Sequence, residues 1–178
     1  MVLMIRLIHA GDHKLMRRLN QWNAPGWFRI WMLVATRAGD GWLWIAVGIL
    51  LAWLGGQEGL LADASGLGAV IVGLILFLIV KNLTGRERPC ATEEHYWAKL
   101  LPPDRFSFPS GHTITAFCAI TPASLYFPAL FPPLLFCALS VAVSRVVLGL
   151  HYLSDVIAGV LIGAGIGYAA FVLGGGVL

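Results

Sequence analysis

In a chain of 178 residues that is 58% hydrophobic and only 12% charged, side chains able to do anion or proton chemistry gather in three short stretches. "KNLTGRERP" carries Lys81 and Arg88, "FPSGH" carries Ser110, Gly111 and His112, and "SRVVLGLHYLSD" carries Arg145, His151 and Asp155. Arginine offers a planar fork to phosphate oxygens and lysine a point charge. Ser110 and Gly111 open an apolar run, so they stand at a helix N-terminus, where free N–H groups and the dipole favour an anion. Two histidines supply what phosphoryl transfer still lacks, a nucleophile and a proton donor. Asp155, four residues after His151, would fix that ring's tautomer and stabilise its imidazolium form. That pairing selects His151 as nucleophile and leaves His112 as general acid.

Each residue taken singly has a plainer structural role. Lys81 and Arg145 could anchor span ends by snorkelling, Arg88-Pro89 could be a turn, and Ser110 an N-cap. His112 could snorkel toward water, and His151 with Asp155 could cap a helix. Those plainer roles require five coincidences on one membrane face, as the arrangement of the elements makes clear.

A mean hydropathy of +0.81 is too apolar for a water-soluble domain of this length and predicts an all-α integral membrane bundle forming a single domain over 1–178. A spanning helix needs roughly 20 apolar residues. Five segments qualify: 40–56, the marginal one, with tryptophans suited to the interfacial belt, then 64–82, 110–128, 131–149 and 154–176. Residues 1–38 precede this 40–176 bundle as interfacial helices. The stretch "MVLMIRLIHAGDHKLMRRLNQWN" is amphipathic, with a break near Gly11, and is predicted to lie on the bilayer surface rather than act as a signal peptide. The twelve-residue piece 26–37 is predicted to be interfacial or half-buried. Five spans put the N-terminal region, the 83–109 loop and the 149–154 turn on one face, with short connections near 57–63 and 128–133 on the other. All twelve lysines and arginines then fall on the first face or its edge, together with the three stretches (81–89, 109–112 and 144–155). Ionisable residues at span edges are expensive, so their convergence points to function. In the last span Gly159, Gly163 and Gly167 make a smooth stripe for close helix packing. Cys90, Cys118 and Cys137 have no CxxC spacing, and a net charge of +3 is too small to argue for a nucleic-acid partner.

The three stretches resemble the signature of the type 2 phosphatidic acid phosphatase superfamily, which also includes vanadium haloperoxidases. The pattern is Lys, six residues, Arg-Pro; Pro-Ser-Gly-His; then Ser-Arg, five residues, His, three residues, Asp. Here it reads Lys81 to Arg88-Pro89, Pro109 to His112, and Ser144-Arg145 to His151 and Asp155, without departure. The resemblance implies a lipid phosphate phosphatase of a bacterial inner membrane, working without metal or other cofactor. In the mechanism it implies, His151 attacks phosphorus, Asp155 orients it and His112 protonates the leaving oxygen. Lys81, Arg88, Ser110, Gly111 and Arg145 would hold the phosphoryl oxygens. Undecaprenyl diphosphate, phosphatidylglycerophosphate, phosphatidate and lipid A phosphate resemble family substrates, and the 90–107 loop could select among them. A lipid-to-lipid phosphotransferase, and a transporter or binding protein using the pocket without turnover, are the alternatives. The positive-inside rule points the basic face to the cytoplasm. Three of those cations are committed to phosphate, however, and the resemblance places the site on the extracytoplasmic face, which is the expectation adopted.

Overall fold

The computed structural model describes residues 2–92 and 105–176. Within them the chain forms α1 (Val2–Gln21), α2 (Gly26–Ala38), α3 (Trp42–Leu54), α4 (Gly56–Thr84) and the single turn α5 (Pro89–Thr92). It continues with α6 (Gly111–Tyr126), a 3-10 turn (Pro128–Leu130), α7 (Phe131–Val147) and α8 (Leu153–Leu173). An isolated bridge between Glu87 and Phe106 accompanies these helices. The architecture is an all-α membrane bundle.

Helix α6 is its axis, packed between α4, α7 and α8, with Ile114, Ala116, Phe117, Cys118 and Ile120 all buried. In a bilayer, lipid tails are as apolar as leucine, so association rests on close van der Waals fit at small residues. The stripe on α8 provides it. A Cβ at Gly159 would lie 2.9 Å from Thr113 Cβ, at Gly163 2.6 Å from the Ile114 carbonyl, and at Gly167 2.8 Å from Thr121 Cβ. Across the axis, a Cβ at Gly73 of α4 would meet Cys118 Sγ and Ile114 Cγ2 at 2.9 Å each. Trp42 and Trp53, at opposite ends of α3, are both exposed, as an interfacial aromatic belt requires.

Several sequence expectations change in detail. On length and apolarity α4, α8 and the 128–147 segment can each cross a membrane, and α2 with α3, bent by 62° at their junction, form either a broken fourth span or a re-entrant pair. The fifth segment, 110–128, yields a 16-residue helix of about 24 Å. That falls short of a roughly 30 Å hydrocarbon core, and neighbouring helices surround it instead of lipid. The expected connection at 57–63 is helical: the chain breaks at Gly55 and α4 begins at Gly56. Helix α1 runs through Gly11 without a break. Its inner face docks on the bundle. Met16 is buried against Ala142, Val146, Tyr152 and Val156, while Lys14, Arg17 and Arg18 stay exposed. Helix α2 is half-buried as expected, with Met32, Ala35 and Thr36 inward.

Candidate active site

The turn between α7 and α8 shows why an arginine and a histidine are spaced as they are. The Arg145 carbonyl at the end of α7 accepts the backbone N–H groups of both Leu150 and His151 at 3.0 Å, and Gly149 takes a left-handed φ of 69° to let the chain double back. Both side chains thereby face one space, and His151 is 2% exposed. The neighbouring loop is closed in the same way, since Ser107 N–H donates to the Arg86 carbonyl at 2.8 Å. That closure carries Arg88 and the Ser107 carbonyl to opposite sides of the His151 ring.

The ring's protonation follows from its partners. His151 Nδ1 lies 2.6 Å from the Ser107 carbonyl, which can only accept, so Nδ1 carries the proton. Nε2 lies 3.0 Å from Arg88 Nη1, a donor, and therefore presents a lone pair. Arg88 Nη1 also donates to the Leu150 carbonyl at 2.6 Å. Burial above all, then repulsion from Arg88 and Arg145, pushes the imidazole well below its ordinary range and keeps it neutral. A neutral imidazole with Nε2 unprotonated is the form a nucleophile needs.

Asp155 stands at ion-pair distance from that ring without a direct hydrogen bond to it. Its Oδ2 is 3.7 Å from Nδ1, beyond hydrogen-bond distance, because the Ser107 carbonyl has taken the proton. Oδ2 instead accepts the Tyr152 backbone N–H at 2.8 Å, so the capping role is real, and Oδ1 meets Arg86 Nη1 at 2.7 Å. Arg86 in turn reaches Asp12 of α1 at 2.8 Å, and Asp12 Oδ2 accepts the Ser154 hydroxyl at 2.5 Å. Ser110 also behaves differently from a simple N-cap. It holds the N-cap position of α6 in extended conformation, but its hydroxyl makes no capping bond and accepts from Thr113 Oγ1 at 2.9 Å. Its backbone N–H donates to the Asp155 carbonyl, tying the start of α6 to α8.

A cavity of about 860 Å³ opens over these groups, with Arg88, Gly111, His112, Arg145 and His151 at one end. Lys81, buried in the last turn of α4, has its Nζ 4.7 Å from the Phe77 ring, and Phe77 lines the same cavity. Arg145 Nη1 donates to Thr36 Oγ1 of α2 at 2.5 Å. Five of the eight residues singled out by sequence thus share one cavity, Lys81 flanks it, and Ser110 and Asp155 stand behind its wall. Sequence reasoning passed over the Ser107 carbonyl, Arg86, Asp12 and Asp40; Asp40 Oδ1 lies 2.7 Å from His112 Nε2. Among the described residues, no cluster of three or more His, Cys, Asp or Glu side chains could hold a metal ion. The expected selectivity loop lies mostly outside the described residues.

From the cationic end the cavity runs between α3 and α4 along an apolar wall that includes Val47, Leu51, Leu67, Val70 and Leu74. Asp63 is the carboxylate at its far part.

The PAP2 superfamily model matches residues 64–175. Decaprenylphosphoryl-5-phosphoribose phosphatase of Mycobacterium tuberculosis is 35% identical over 142 residues, 76% of this chain and 73% of that protein. Lipid A 1-phosphatase of Rhizobium johnstonii is 33% identical over 99 residues, 53% of this chain. The match spans only 41% of that protein, less than half its length. In fold, the chain resembles Aquifex aeolicus LpxE with a TM-score of 0.75 at 23% identity, over 88% of this chain and 92% of that one. It resembles a transmembrane PAP2-type phosphatidylglycerolphosphate phosphatase from Bacillus subtilis with a TM-score of 0.70, also at 23% identity, over 94% of this chain and 86% of that one.

Proposed function

The chain belongs to the PAP2 superfamily, and from that premise we propose that it is a bacterial membrane lipid phosphatase that removes a phosphate from a lipid monophosphate or diphosphate through a phosphohistidine. The observation that carries this reading is the two-part cavity. One end gathers two arginines, two histidines and a helix N-terminus, and the rest is an apolar trough between α3 and α4. A phosphate attached to a long hydrocarbon chain has the same two-part chemistry, and a cavity of this size lies within the range of ligand pockets.

In the mechanism, His151 Nε2 attacks phosphorus and displaces the lipid oxygen, which takes a proton from His112. Arg88, Arg145, Lys81 and the Gly111 N–H hold the phosphoryl oxygens and offset the charge of the transition state. The Ser107 carbonyl keeps Nδ1 protonated while Nε2 reacts, and Asp155 supports the charged ring from behind. Water, with His112 now acting as base, hydrolyses the phosphohistidine and restores the enzyme. The lipid-phosphatase names of the relatives supply the substrate panel: lipid A phosphate, phosphatidylglycerophosphate and decaprenylphosphoryl-5-phosphoribose, with undecaprenyl diphosphate and phosphatidate added.

The test is phosphate release from each lipid by purified protein in detergent, with His151→Ala as the blank. Release from at least one, absent in the blank, is expected; lipid binding without release from any of them would favour a binding or transport protein. Product analysis with an acceptor lipid present separates hydrolysis from transfer. We propose that the site faces the extracytoplasmic side of the inner membrane. Labelling of Arg105→Cys by an impermeant maleimide in intact cells is expected, and labelling only after lysis would reverse the orientation.

A further inference from the structure

Building on the phosphohistidine reading, we propose that Asp40, in the turn between α2 and α3, is the positioning residue of the proton donor. It holds His112 through Nε2, so that Nδ1 hands the proton to the departing lipid oxygen.

The turn is shaped for this contact. Helices α2 and α3 break over three residues, and Gly41 turns the chain with a φ of 120°, a backbone conformation open mainly to glycine. Gly39 packs so closely that a Cβ there would lie 2.7 Å from Val141 Cγ1 and 3.2 Å from His112 Cδ2. Between them Asp40 Oδ1 meets His112 Nε2 at 2.7 Å, while Oδ2 lies 3.6 Å from Arg37 Nη1, which steadies the carboxylate.

Charge supplies the need. His112 shares its cavity with Arg88 and Arg145 and with the His151 ring, so among the described residues lining that end Asp40 is the one that favours its protonated form. A ring that must arrive as imidazolium requires a local anion. Asp155 is committed to Arg86 and the Tyr152 N–H, and Asp63 lies on α4 against Gly48 of α3. Among the described residues, Asp40 is the carboxylate in contact with His112. With Nε2 donating to it, the ring's second proton, on Nδ1, is the one available for transfer. In the first half-reaction the His151 N–P bond forms, the P–O bond to the lipid breaks with its electron pair left on oxygen, and that oxygen takes the Nδ1 proton. In the second, neutral Nδ1 takes a proton from the attacking water as the N–P bond breaks.

The experiment compares two phosphate monoesters on purified full-length protein: an alkyl lipid phosphate, whose alkoxide leaves poorly, and 4-nitrophenyl phosphate, whose phenolate leaves well. General acid catalysis contributes about 10²–10⁴-fold, and only where the leaving group needs a proton. Asp40→Asn is expected to lower kcat on the alkyl substrate by about 10²-fold, with the loss at least tenfold smaller on the aryl one. Asp40→Glu restores part of the alkyl activity, and Asp40→Asn adds nothing to a His112→Ala protein. Equal loss on both substrates would make Asp40 merely structural, and a gain on the alkyl substrate would make it a competitor for the leaving group's place; either overturns this inference alone. No turnover by the wild-type protein on these two monoesters or on any lipid of the panel overturns the phosphatase reading and this inference with it.

Discussion

Replacing Asp155 by asparagine separates two ways of supporting a histidine nucleophile. In a triad whose carboxylate bonds directly to the ring, the same change costs about 10⁴ in kcat, because asparagine permits the wrong tautomer. Here the tautomer is held by the Ser107 carbonyl at 2.6 Å, a backbone group that the substitution leaves in place. What Asp155 supplies is charge at 3.7 Å from Nδ1, which at an effective dielectric of about 20 attracts a phosphorylated, cationic ring by about 4.5 kcal/mol. Arg86, 2.7 Å from the other oxygen, cancels a large part of that field. Retaining a little under half leaves about 2 kcal/mol, or roughly 30-fold in kcat. The fold should survive, since Arg86 keeps Asp12 at 2.8 Å and asparagine can still accept the Tyr152 N–H. Steady-state phosphate release, with size-exclusion in detergent to confirm folding, measures the effect. A loss near 10⁴ in a folded protein would show that Asp155 sets the tautomer after all, and no loss would show that its charge does not reach the ring.

Three further outcomes follow from the packing and the charges. Gly163→Ala forces a methyl to within 2.6 Å of the Ile114 carbonyl and should cost about 1–3 kcal/mol by overpacking, with activity falling as α6 and α8 separate. Gly165→Ala, with nothing within 4 Å, should be silent, and thermal melting in detergent distinguishes the pair. The buried His151 stays neutral when folded, so acidification below about pH 6.5 lets the unfolded chain bind a proton that the folded one refuses. Stability should then fall on acidification with a slope approaching about 1.4 kcal/mol per pH unit from this group, lost in His151→Gln, as Tm at pH 7.5 and 5.5 will show. Asp12→Asn removes a charged partner of Arg86 and of Ser154, a loss of about 2 kcal/mol in docking α1. Limited trypsin treatment should cut sooner at Arg17 and Arg18 in that variant than in the wild-type protein.

The parts of the site legible in sequence were those whose residue type is costly where it stands. Lys81 and Arg145 at span ends and His112 at a helix start are conspicuous in an apolar chain, and the glycine stripe on α8 announces its own close contact. What escaped were groups whose type is ordinary. Asp12 lies in an amphipathic stretch and Asp40 at the start of the marginal span, and only tertiary packing puts them against Arg86 and His112. Ser107 acts through its backbone carbonyl, which any side chain could carry, so no residue pattern marks it. Asp155 was legible from its spacing, which fixes a neighbourhood, while the 3.7 Å separation from Nδ1 depends on the loop that brings the Ser107 carbonyl to the ring. Periodicity reports apolarity and not lipid exposure: the central helix α6 is apolar with protein packed around it.

The central claim is a covalent bond between phosphorus and His151. Purified enzyme mixed with a ³²P-labelled lipid phosphate and quenched within a single turnover should carry acid-labile, alkali-stable label on the peptide containing His151. His151→Ala should carry none, and chelator should leave the wild-type labelling unchanged. Phosphate release that continues undiminished in His151→Ala, with no labelled enzyme at any time, would contradict the account.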